Sequence, residues 1–149
     1  MWSNRLKIGL SLVTVSLLGV AHSSSACCKE LTVSGAWVPV SDEVGLDLPL
    51  SLTIINESDA PDALLRVRCP IANFTEKHVV DHGEGTPAMR SIPTIQIAPN
   101  STVSLEPRDH HVMLLQTRQP LRIGDHFVCV LVFQKAGTIE TEVEVRQSP

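Results

Sequence analysis

Once the initiator is set aside, the chain holds two methionines, Met89 and Met113, and each lies near a histidine. His111 and Met113 are separated by one residue. On a strand, residues i and i+2 point to the same face, so this imidazole and thioether can reach one ion while Val112 turns away. His78 stands eleven positions before Met89, and the stretch Asp81-His82-Gly83-Glu84-Gly85-Thr86-Pro87 lies between them. Such a run of turn formers can bring Met89 back beside His78. Taken one at a time these residues have blander readings, since a lone Met usually fills a gap in a core and a lone His packs or hydrogen-bonds. The set His78-x10-Met89-x21-His111-x-Met113 offers metal ligation by two imidazole nitrogens and two neutral sulfurs.

The elements that must position these groups are strands. The chain is 149 residues long, which leaves room for one domain. Hydrophobic residues make up 43% but aromatics only 3%, so the core has to be built from Val, Leu and Ile, a composition that favours strands. Ten prolines and eight glycines interrupt the chain too often for a helical bundle or a Rossmann sheet. Alternation of apolar and polar residues predicts strands over 31–38, 50–55, 63–69, 74–80, 92–97, 102–105, 112–117, 127–134 and 138–145. Breakers separate them at Pro99-Asn100, Pro107, Pro120, Gly124-Asp125 and Ala136-Gly137. Short strands at this spacing are the signature of an antiparallel sandwich or barrel. Lys and Arg total 12 against 16 Asp and Glu, so no basic surface is available for a phosphate backbone, and nucleic-acid binding is excluded as a function class.

Residues 1–26 read as a secretory signal. Arg5 and Lys7 form the positive start, Ile8 to Val20 the apolar stretch, and Ser24-Ser25-Ala26 the small-residue cleavage site. The apolar run is short and broken by Ser11, Thr14 and Ser16, against the roughly 20 apolar residues that span a bilayer. The mature chain is therefore expected to carry no transmembrane segment and to comprise residues 27–149. It retains Cys27, Cys28, Cys69 and Cys129 in a compartment where thiols oxidise. Four cysteines permit three pairings. Cys69 and Cys129 lie in apolar strand segments, as either a buried disulfide or two buried thiols, and Cys27 is open to lipidation as the first mature residue. No CxxC pair, Walker loop or GxGxxG is present.

The four-residue spacing resembles the copper-ligand signature of the periplasmic copper chaperone family PCu(A)C. The resemblance extends to Val33-Ser34-Gly35-Ala36-Trp37, to Asp62-Ala63-Leu64-Leu65 and to Ile97-Ala98-Pro99. It continues through Pro107, Pro120-Leu121, Gly124-Asp125 and Phe133 to Gly137, so that it covers essentially all of residues 31–146. It implies an all-β, cupredoxin-like (Greek-key) β-sandwich of one domain, with His78, Met89, His111 and Met113 as metal ligands. Two imidazoles with two thioethers make a soft site that suits Cu(I), whereas zinc wants thiolate, imidazole or carboxylate and calcium wants oxygens. The implied function is that of an exported, monomeric, non-enzymatic metallochaperone of the periplasm. It would pass Cu(I) by ligand exchange to a respiratory haem-copper oxidase subunit or to another copper chaperone. Three rivals stand beside it: a secreted adhesion sandwich without metal, a periplasmic copper scavenger or store, and a copper enzyme or electron-transfer protein. Blue-copper chemistry needs a Cys thiolate with two His, and both Cys69 and Cys129 lie outside the cluster. His82, His110 and His126 also fall outside it, and His82 is the best extra nitrogen for Cu(II).

Overall fold

Alternating burial along Val- and Leu-rich runs yields strands throughout the computed structural model, which describes residues 31–83 and 85–149. The signal segment, its cleavage site, Cys27 and Cys28 lie outside the described residues. Ten strands follow in chain order: β1 (Leu31–Pro39), β2 (Leu48–Asn56), β3 (Asp62–Arg68), β4 (Ala72–Asp81), β5 (Ala88–Ile92), β6 (Ile95–Ile97), β7 (Ser101–Leu105), β8 (His111–Thr117), β9 (His126–Phe133) and β10 (Thr138–Arg146). No helix occurs among the described residues.

The strands pair in the order β5-β4-β8-β2-β1-β10-β9-β3-β6, with β7 also on β2. The hinge of the arrangement is β2. Its first residues pair with β8, from Leu48↔Leu114 to Leu50↔Val112. Its later residues pair with β7, from Leu52↔Leu105 to Asn56↔Ser101, and it runs antiparallel to β1. One strand thus belongs to both layers of the cupredoxin-like fold, and it is buried on both faces where it crosses, at Leu50, Ser51 and Leu52. Gly35, at φ +61°, occupies the break in register between Ser34 and Trp37 of β1, a left-handed bulge position that favours glycine.

A single aliphatic core fills the interior. Leu50, Ile54, Leu64, Leu105, Val112, Leu114, Leu131 and Val143 are fully buried, and Phe133 is the one aromatic residue among them. Each such side chain contributes about 1.5–3 kcal/mol through burial. The β3–β4 side has no backbone ladder. It is closed instead by side chains: Thr75 Oγ1 donates to the Val67 carbonyl at 2.5 Å and Lys77 Nζ to the Leu65 carbonyl at 2.6 Å. Cys69 and Cys129 form a disulfide across 60 positions of sequence, tying the end of β3 to β9.

One predicted strand divides in two. Residues 92–97 were expected to run as a single strand, but Pro93 has no N–H to give a ladder. The chain there leaves one layer for the other, with β5 on β4 and β6 on β3. Met89 consequently rides on a strand of its own and not on a loop.

At the far end of β3, Asp62 organises the β9–β10 connection. Its Oδ1 accepts from the N–H groups of Ala63 and Lys135, and its Oδ2 from that of Ala136. Burial works to raise its pKa, but the backbone N–H groups of Lys135, Ala136, Ala63 and Gln134 outweigh it and hold the carboxyl below the ordinary aspartate value.

Two outcomes follow from these ties. Replacing both Cys69 and Cys129 with Ala should cost about 2–5 kcal/mol of stability by denaturant unfolding. Asp62→Asn should cost about 1–3 kcal/mol at pH 7. A depressed native pKa means that the carboxylate stabilises above the unfolded value and that this contribution is lost as pH falls through the native value. The gap between wild type and Asp62→Asn should therefore narrow below roughly pH 4, near the unfolded aspartate pKa, in unfolding curves recorded from pH 7 to pH 2.

Candidate metal centre

The site is built by the register of three neighbouring strands. His78 on β4 lies directly opposite His111 on β8, and Glu76 lies opposite Met113. On the other side of β4, His78 faces Ser91 of β5 and Val80 faces Met89. Directly paired residues share a sheet face, and so do residues two apart along a strand. His78, Met89, His111 and Met113 therefore all belong to the outer face of the β5-β4-β8 layer, while Val112 and Leu114 enter the core.

His78, Met89 and His111 are in close association. The two imidazoles meet edge to face with centroids 5.7 Å apart. His111 Nε2 lies 3.2 Å from the Met89 sulfur. His111 is 2% exposed and Met89 55%, so the cluster is graded from a buried imidazole to an exposed thioether. Met113 occupies the same face one pair farther along, half-buried, next to His111 in the spacing that the His-x-Met motif predicts.

Hydrogen bonding settles which nitrogen of His111 is free. A carbonyl can only accept, so Nδ1, 3.0 Å from the Asp109 carbonyl oxygen, carries the hydrogen. In the neutral ring Nε2 is then an unprotonated donor of electrons, and it faces a thioether that is also only an electron donor. Two lone-pair donors at 3.2 Å are the arrangement of groups that share one cation. For scale, zinc bonds of about 2.0 Å to imidazole nitrogen and about 2.3 Å to thiolate sulfur set their two donors roughly 3.5 Å apart at a tetrahedral angle. His78 adds a second nitrogen: its Nε2 is 2.9 Å from Glu76 Oε2, and its Nδ1 is a buried polar atom without a hydrogen-bond partner. Two neutral nitrogens and soft sulfurs fit a monovalent soft cation. Among the described residues no three His, Cys, Asp or Glu side chains gather as a harder site would need.

The remaining histidines make contacts elsewhere. His82 Nε2 meets the Arg108 carbonyl at 3.0 Å and joins the turn after β4 to the segment before β8. His110 pairs with Asp109 and His126 with Glu142, each at 3.1 Å. The disulfide of Cys69 and Cys129 removes both thiolates from consideration as ligands. Reading the sequence for metal ligands passed over Glu76, although Glu76-x-His78 has the same i, i+2 spacing that singled out His111-x-Met113.

One family model and three solved structures are similar to this chain. A family model described as "Putative lipoprotein LpqE-like" matches residues 31–145. The solution structure of CuI-DR1885 from Deinococcus radiodurans is 26% identical and superposes with a TM-score of 0.69, covering 86% of each chain. The copper-bound PCuAC domain from PmoF2 is 22% identical with a TM-score of 0.68, over 80% of this chain and 94% of that one. The apo PCuAC domain from PmoF1 matches at the same identity and TM-score. No curated protein sequence matches the chain. Matched by its family model from the first described strand to the last, the chain belongs to the LpqE-like family and, with it, to the PCuAC family whose His and Met spacing it carries.

Proposed function

We propose that this protein is an extracytoplasmic Cu(I) carrier that holds one ion through His78, Met89, His111 and Met113 and passes it to a copper-accepting protein. The observation that carries this reading is the 3.2 Å approach of two lone-pair donors, His111 Nε2 and Met89 Sδ, beside a second imidazole. Softness of the donors selects Cu(I) over Zn(II). Copper in two structures of the same fold, CuI-DR1885 and the copper-bound PmoF2 domain, supports the choice of metal. Export through residues 1–26, followed by a mature domain over 27–149, accords with the lipoprotein description of the family.

Gradation of exposure suggests how cargo leaves. An acceptor's ligand can approach at the exposed Met89 and displace this thioether first, while the buried His111 releases last. Exchange of this kind needs no unfolding and no redox change, and it leaves the chain without a catalytic role. A copper-accepting oxidase subunit is the recipient by resemblance, reached by a monomeric chaperone in a transient complex. A scavenger or store would share the site but not the exchange.

Titration of the mature protein with Cu(I) and Zn(II) under a competing chelator tests the ligands. One Cu(I) per chain with weak Zn(II) binding is expected. Met89→Ala, Met113→Ala, His78→Ala and His111→Ala should each weaken Cu(I) on the order of 100-fold, about 2.7 kcal/mol, with the fold retained. The Cys69→Ala/Cys129→Ala double variant should keep its one Cu(I). Unchanged affinity in any of the four single variants removes that residue from the site.

Transfer is tested by mixing the copper-loaded protein with an apo oxidase copper domain and following the metal by mass or spectroscopy. A chaperone should deliver faster than it releases Cu(I) to a dilute chelator, at a rate that rises with acceptor concentration. A rate fixed at spontaneous release identifies a store.

A further inference from the structure

The two imidazoles of the proposed copper site are held in opposite senses, and the holder of His78 is a side chain with no part in ligation. His111 is fixed by a main-chain carbonyl, that of Asp109 at Nδ1, which leaves Nε2 bare toward Met89. His78 is engaged from its other nitrogen: Nε2 lies 2.9 Å from the carboxylate of Glu76, two residues earlier on β4 and on the same face. A carboxylate accepts, so Nε2 carries the hydrogen and Nδ1 is the atom with the free lone pair. This Nδ1 is the one buried side-chain nitrogen or oxygen among the described residues without a hydrogen-bond partner. A hydrogen placed on it would be a buried donor with no acceptor, at a cost of about 1–3 kcal/mol. A bare Nδ1 is instead an unused ligand.

We infer that Glu76 is a positioning residue of the site, fixing His78 in the tautomer that presents Nδ1, so that the cargo is bound by Nδ1 of His78 and Nε2 of His111. The inference rests on the Cu(I) reading above and adds to it the identity of the ligating atoms and the residue that selects one of them. Glu76 supplies a second benefit. All four proposed ligands are neutral, and its carboxylate brings a negative charge within one imidazole ring of the cation. The side chain of Glu76 is 47% exposed while that of His78 is only 15% exposed, so the charge remains partly solvated as the ring it orients is enclosed. A surface ion pair with no positioning role would leave the choice of nitrogen open; the unpartnered Nδ1 distinguishes the two.

The test is long-range proton–nitrogen NMR on the mature, isotope-labelled protein, without metal and after addition of one equivalent of Cu(I). Before metal, His78 should show the Nε2–H tautomer and His111 the Nδ1–H tautomer. With Cu(I), the shift characteristic of a metal-bound nitrogen should appear at Nδ1 of His78 and at Nε2 of His111. Glu76→Leu should abolish the single tautomer of His78 and lower Cu(I) affinity about 10–100-fold. Glu76→Gln, whose amide oxygen accepts the same hydrogen, should restore the tautomer and most of the affinity. Metal at Nε2 of His78, or an unaltered tautomer in Glu76→Leu, overturns the inference while leaving the copper site standing. Copper bound with neither nitrogen of His78 shifted overturns both. Because the metal-free tautomers are read in wild type, the inference stays open to refutation even where a variant fails to fold.

Discussion

The pairing of β4 with β8 is the constraint on which the site depends. Six residue pairs, from Ala72↔Thr117 to His78↔His111, fix the register of these strands. A slip of one residue would send every side chain of one strand to the opposite face. His78 would then enter the interior beside Val112 and Leu114, and Lys77 would lose its hold on the Leu65 carbonyl. The core therefore enforces the site: Val112 and Leu114 have to face inward, and that requirement places His111 and Met113 outward. Apolar burial and the gathering of the proposed ligands are two faces of one ladder.

Much of this was legible in the sequence because alternation carries it. The strand over 112–117 was readable from its period of two, and with it the shared face of His111 and Met113. An aliphatic core followed from a chain with no Tyr and only three Phe. The placement of Met89 was harder to read, because residues 88–92 are almost entirely exposed and show no apolar alternation to mark them as a strand. Only pairing with β4 makes them one. Apolar context left a buried disulfide and two buried thiols both open for Cys69 and Cys129, and only the fold, by bringing them together, decides for the disulfide. Glu76 was passed over for a different reason: it touches a proposed ligand, His78, and spacing rules written for donors pass over the groups beside them.

Division of labour between Asp62 and the candidate metal centre also has a physical basis. Asp62 spends its carboxylate on main-chain N–H groups at the β9–β10 connection, a structural use that leaves no lone pair aimed at a ligand. At the candidate metal centre the balance is reversed, with nitrogen and sulfur lone pairs left facing one another or facing nothing. Such unsatisfied groups are costly in a buried place. Both imidazoles are nevertheless enclosed on the outer face of the β5-β4-β8 layer, with His111 2% exposed and His78 Nδ1 buried, so the cost falls on the candidate site and not on the aliphatic core.

Among the described strands, β5 stands at the outer end of the order and is supported along one side only, by β4. Edge arms with few buried apolar contacts detach at lower free energy than the strands behind them. Met89 is carried on this arm, whereas both histidines are carried on interior strands. The thioether can thus swing away on a local fluctuation while the imidazoles keep their places. In the proposed carrier the edge strand β5 alone is the latch, and its looseness, not the strength of any one bond, would set how readily the ion is given up.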